Sequence, residues 1–148
     1  MTIEILKSLY NRDLQKLKVE IESYQNEESL WKIDKKILNS GGNLCLHLLG
    51  NLNTYIGAEL GKSGYVRQRD LEFSMKDIPK TELLEKIESL IEIVDSTFKQ
   101  LLEEDLKKDY PTEALGYQMT TEYFLIHLLS HLNYHLGQIN YHRRLLDI

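Results

Sequence analysis

The chain has 148 residues and a formal net charge of −5, with 42% hydrophobic and 28% charged residues; this is the balance expected of a single globular domain over residues 1–148. The acidity excludes a dominant nucleic-acid surface, which needs a Lys/Arg-rich face, and no apolar run approaches the roughly 18 residues of a membrane span. The lone cysteine, Cys45, excludes an internal disulfide framework, and the opening MTIEILKSLYNRDLQKLK lacks the apolar core and cleavage site of a signal peptide, so we expect a cytoplasmic protein.

In chain order, residues 3–24 place Ile3, Leu6, Leu9 or Tyr10, Leu14, Leu17 and Ile21 at helical spacing. Trp31, in SLWKI, reads as a packing anchor in the connection that follows. Ser40-Gly41-Gly42-Asn43 offers N-cap candidates for a second helix over 43–60, striped by Leu44, Leu48, Leu52, Tyr55 and Ile56. Gly61, Gly64 and Pro79 bound a connection that contains YVRQRDLEF, residues 65–73. A third helix is expected from Lys80 to Glu104, through Leu83, Leu84, Ile87, Ile91, Val94, Phe98 and Leu101. Pro111 and Gly116 mark the next break, and a fourth helix over 119–146 carries Leu125, Leu128, Leu132, Leu136 and Ile139. No window alternates with period two, so the fold class is all-α. The three connections exceed a dozen residues against the usual ~2–8 between bundle helices. Long connections can join parallel neighbours, so up-down-up-down order is not required.

Four of the five histidines lie in HLLSHLNYHLGQINYHRR, residues 127–144. A helix turns about 100° per residue, so His127, His131 and His135 form a slowly winding row, with Gln138 and His142 in the same arc and Leu128, Leu132 and Ile139 beside it. His47 lies near the arc of Leu44, Leu48 and Tyr55 and should also face inward, with Asn51 one turn on. Two imidazoles from one helix and one from another suit Zn²⁺, Ni²⁺ or Fe²⁺ and leave coordination positions open. Packed, hydrogen-bonded core histidines are the alternative.

SGGNLCLHLLGNL, the H-x-x-x-H-x-G-Q ending of the fourth helix and the intervening YVRQRDLEF resemble the DinB-like (YfiT-like) superfamily of metalloproteins. The resemblance covers nearly the whole chain. It implies a four-helix bundle of up-down-down-up topology and a divalent metal, zinc or nickel, held by His47, His131 and His135. His127 then lies outside the triad, either as a hydrogen-bonding neighbour of the ligands or as an ordinary helix-face residue. His142, about 10 Å beyond His135 along the axis, is too far to share the ion and reads as structural or interfacial. Gln138 reads as a packing residue, with a hydrogen bond toward a ligand as the alternative, and Asn51 is a further candidate behind the ligands.

Three neutral ligands leave a metal its full positive charge, able to acidify a bound water or thiol or to polarise a carbonyl. The H-E-x-x-H arrangement of zinc proteases is absent, since Leu132, Asn133 and Tyr134 separate His131 from His135. The resemblance implies enzymes that use low-molecular-weight thiols as co-substrates, in S-transfer or isomerisation, and metal coordination favours the nucleophilic thiolate. Cys45, about 200° around the helix from His47, reads as a buried structural residue instead. Arg67, Arg69 and Tyr55 are the candidate substrate contacts: the guanidinium groups could clamp a carboxylate, or pair with Asp70, Glu72 or helix ends, which we prefer. Tyr55 and Tyr134 belong to the pocket or the core, the core being the first choice. The expectation is therefore a metal-dependent thiol S-transferase acting on small electrophiles. The alternatives are a non-enzymatic metal-binding stress-response module and a helical dimer with structural histidines. A homodimer is expected because bundles of the family it resembles often pair and the first helix has a strong apolar stripe, although no sequence feature fixes the interface.

Overall fold

The computed structural model describes residues 1–148, and its regular elements are all helical. Helix α1, Thr2–Glu22, buries the expected stripe, with Tyr10 rather than Leu9 facing inward. Helix α2, Gly41–Leu52, begins at Ser40, whose hydroxyl accepts the Asn43 N–H at 3.1 Å; this supplies one of the donors a helix start leaves unpaired. Every residue of α2 is buried, so it is the innermost helix. It continues into a wider turn, Asn53–Ala58, where the Glu59 N–H reaches back five residues to the Thr54 carbonyl. Helix α3, Arg69–Ser74, is a short element inside the YVRQRDLEF connection, and α4 runs over Lys80–Gln100. Helix α5, Thr121–Leu146, is capped by the Thr120 hydroxyl, which accepts from Tyr123 N–H.

The expected third helix is four residues too long. Leu101 turns extended, and Glu103–Lys107 forms a separate 3₁₀ turn in which the Asp105 carboxylate accepts from Leu102 N–H at 2.8 Å. A second 3₁₀ turn, Glu27–Trp31, occupies the first connection. Thus each long connection contains a helical turn of its own. α1 packs on α4 and α5, while α2 packs on α3, α4 and α5. A cluster of 30 buried hydrophobic residues draws on all four long helices, so they share one core.

Polar ties inside that core set the register. Tyr10 Oη donates to the Leu125 carbonyl at 2.5 Å, and the fully buried Asp13 accepts from Asn133 Nδ2 at 2.7 Å. Trp31 lies against Gly42, where a Cβ would come within 2.7 Å of the indole; only glycine admits the ring. Tyr134 departs from expectation. It is 66% exposed, because its position on α5 points away from α1 and α2. The stripe of α1 on which the dimer expectation leaned is buried inside the chain against α4 and α5. No helix is long and apolar enough to cross a membrane.

His142 is structural, as its distance from His135 suggests. It is 3% exposed; its Nδ1 accepts from Tyr24 Oη at 2.7 Å and its Nε2–H donates to the Lys32 carbonyl at 2.9 Å. The imidazole thereby pins the start and the middle of the first connection to α5. Burial holds its pKa below the ordinary value, against the opposing effect of the Lys32 hydrogen bond. The unfolded chain therefore takes up this proton first, and stability falls as pH drops below about 6.5. We predict that His142→Ala lowers unfolding free energy by about 2–3 kcal/mol, from the cavity and two abandoned partners. Urea midpoints measured from pH 8 to 5 should also show a shallower acid decline in the variant.

Candidate metal centre

Helix α2 carries His47 as its seventh residue, in the second turn, and α5 carries His131 and His135 one turn apart. The packing of α2 on α5 brings all three together. His131 Nε2 lies 3.2 Å from His47 Nε2 and 3.1 Å from His135 Nε2, and the three ligand atoms fall within 4.8 Å of one another. The protonation of two rings follows from their other nitrogens. His47 Nδ1–H donates to Glu72 Oε1 at 3.0 Å, and a carboxylate can only accept. His135 Nδ1–H donates to Gln138 Oε1 at 2.6 Å. Both rings therefore present an Nε2 lone pair toward His131. At most one proton fits among three such nitrogens, whereas a single cation satisfies all of them.

The donor set fits a transition-metal ion. Metal–nitrogen bonds of about 2.0–2.1 Å put neighbouring ligand nitrogens about 3.0 Å apart at a right angle and about 3.4 Å apart at the tetrahedral angle, and the two separations from His131 lie between these. Burial lowers the pKa of all three rings. For His131 the neighbouring His135 and His47 add to burial and bring it to about 4; for His47 and His135 the bonds to Glu72 and Gln138 partly oppose the fall. The imidazoles are thus neutral, the form that binds metal.

The other candidates divide. Gln138 is not a packing residue: it is exposed and holds the His135 ring. Arg67 is engaged by Glu72 through a two-pronged contact, Nε to Oε2 at 2.8 Å and Nη2 to Oε1 at 3.0 Å, so the preferred ion-pair reading describes it. Arg69 lies over the Phe73 ring at 5.5 Å. Beside the triad is a cavity of about 190 Å³ that adjoins His47 and His131 and is lined also by Asn51, Tyr55, Arg67, Arg69 and His127. Tyr55 is half-buried there, edge-on to Phe124, so it is a pocket wall as well as a core residue. His127 stacks on Phe124 at 5.8 Å. Asn51 is 93% buried by its 7% exposure, and its Oδ1 has no partner. Cys45 is fully buried, and burial pushes its thiol up to about 12, so it cannot act as the thiolate. A larger cavity, about 580 Å³ between α2, α3 and α4, meets this centre only at Glu72.

Two contributors are not apparent in the sequence. Glu72, 25 residues from His47, reads there only as an ion-pair partner of Arg67, yet it sits behind a ligand. Phe73 packs on the His47 ring at 5.0 Å. Both arrive on α3, whose placement depends on Asn43: its Nδ2 donates to the Glu72 and Met75 carbonyls at 2.9 and 2.8 Å.

The sequence matches, over residues 3–147, the family model described as a protein of unknown function, DUF1572. The chain belongs to the DUF1572 family. Comparison with curated proteins gives no match. Among solved structures, this DUF1572 protein is similar to a conserved protein of a locus from Enterococcus faecalis, with a TM-score of 0.76 and 14% identity over 97% of this chain and 95% of that one. At that identity the likeness is one of fold.

The depressed pKa values predict how metal uptake responds to pH. Three imidazoles of ordinary pKa would lose about 50-fold in apparent affinity between pH 7.5 and pH 6 through proton competition. Zinc titrations against a chromophoric chelator should show a clearly smaller loss for this protein.

Proposed function

We propose that this chain is a divalent-metal-dependent enzyme of the DinB-like superfamily, a four-helix bundle formed by α1, α2, α4 and α5 with up-down-down-up topology. In this reading His47, His131 and His135 hold zinc or nickel, and the protein is a low-molecular-weight-thiol S-transferase acting on small electrophiles. The observation that carries it is the convergence of three Nε2 atoms, two of them with lone pairs committed toward the centre by hydrogen bonds at Nδ1. Bound there, a divalent ion supplies Lewis acidity, which favours the thiolate form of a thiol and polarises an electrophile.

The remaining residues support small-molecule chemistry over a purely structural metal. A structural site is closed by protein ligands, usually four, whereas this one has three and a cavity beside it. Tyr55, Phe124, Leu115 and Leu128 give that cavity an apolar wall on which the nonpolar part of a small substrate can pack. His127 and Arg69 stand at the same cavity and can orient a polar or anionic group. Asn51 adds a buried amide whose oxygen is free to accept.

Elemental analysis of protein prepared under reducing conditions should find about one divalent ion per chain, lost in His47→Ala, His131→Ala and His135→Ala. The metal-loaded protein should then turn over model electrophiles with at least one cellular thiol, and the three variants should not. Absence of metal from the wild type overturns the metal site. Full metallation with no turnover across a panel of thiols and electrophiles overturns the enzyme in favour of a metal-binding module.

A further inference from the structure

Glu72 occupies an unusual position for a side chain in a surface connection. It is 6% exposed, and its carboxylate accepts from His47 Nδ1–H and from both Arg67 nitrogens. Those three bonds engage both oxygens and hold the carboxylate on the Nδ1 side of the His47 ring. The space it needs is provided by Gly50, in the interior of α2: a Cβ there would fall 2.6 Å from the Glu72 carboxyl carbon. Glycine inside a helix is less favourable than alanine, and here the carboxylate takes the space a side chain would fill. Asn43 secures the same segment from the first turn of α2.

We infer that Glu72, clamped by Arg67 and seated on Gly50, is a positioning residue that fixes the tautomer and direction of the His47 ring, so that α3 governs how tightly the centre holds its ion. A carboxylate at Nδ1 leaves Nε2 as the only lone pair of the ring and makes it a stronger donor. Of the three imidazoles, His47 alone has a charged partner; His135 has a neutral amide, and His131 Nδ1 has none. His47 is thus the ring whose donor strength the protein adjusts most. The affinity side of this inference rests on the metal reading above, whereas the tautomer side concerns the chain alone.

Two measurements test it. Zinc affinity by chelator competition should fall 10–100-fold in Glu72→Ala, and by less in Glu72→Gln, whose amide oxygen still accepts but carries no charge. Gly50→Ala should fall as far as Glu72→Ala, although alanine is the better helix former. The double variant should be no worse than Glu72→Ala, because both changes remove one interaction. In long-range ¹H–¹⁵N spectra of the metal-free proteins, His47 should show a single Nδ1–H tautomer in the wild type and lose it in Glu72→Ala and Gly50→Ala. His135, held by Gln138, should keep its own. Wild-type affinity and an unchanged His47 tautomer in both variants would overturn the inference. Additive losses in the double variant would overturn the role of Gly50. A wild type that binds no zinc but whose His47 tautomer depends on Glu72 would overturn the metal reading and leave the positioning role standing.

Discussion

Three imidazoles held side by side inside a protein constrain everything around them. They cannot all be charged, because burial and mutual repulsion penalise each proton, and in this chain all three are held below the ordinary histidine pKa. Being neutral, each ring must still choose which nitrogen keeps its hydrogen. The structure makes that choice from outside the cluster. Glu72 and Gln138 each draw an Nδ1–H away from the centre, and the Nε2 lone pairs of His47 and His135 both face His131 Nε2, at 3.2 and 3.1 Å. A proton on His131 Nε2 can serve one of these two lone pairs at a time, whereas a cation at the centre serves both. The arrangement is one that could hold a metal ion.

The surrounding architecture serves that geometry with different degrees of directness. α2 is buried along its whole length, which fixes His47 in depth. α5 is longer and carries His131 and His135 one turn apart, where a helix automatically places two side chains on one face. The third component is the short α3, which contributes no ligand. It brings a carboxylate and an aromatic ring to His47, and it is tied down by Asn43 at one end and by the Arg67–Glu72 pair within. At the far end of α5 an unrelated histidine, His142, performs a purely structural task with the same chemistry: one nitrogen accepts, the other donates, and a long connection is held in place. Similar residues on one helix thus do different work according to what the neighbouring connections present to them.

Much of this was legible in the residues. Four helical stripes, the Ser40 cap, the inward face of His47 and the separation of His142 from the other three all follow from a 100° turn per residue and a 1.5 Å rise. The stop at Gln100 was not legible, because the hydrophobic period continues through Leu101 while the backbone there turns extended. Nor was the exposure of Tyr134, since an aromatic residue near a stripe can fall on either side of it. Gln138 was visible as a neighbour of His135 by spacing, but the hydrogen bond depends on a rotamer that spacing does not dictate.

Local sequence determined the helices, the face on which each histidine lies and the pairing of His131 with His135, because these depend on contacts within a turn or two of chain. Tertiary structure alone decided that His47 reaches them from α2, that Glu72 stands behind it across 25 residues, and that Gly50 is where the carboxylate finds room. Each of those facts depends on how separate segments pack, and the spacing of residues along a chain carries no record of the distance between two faces that meet in space.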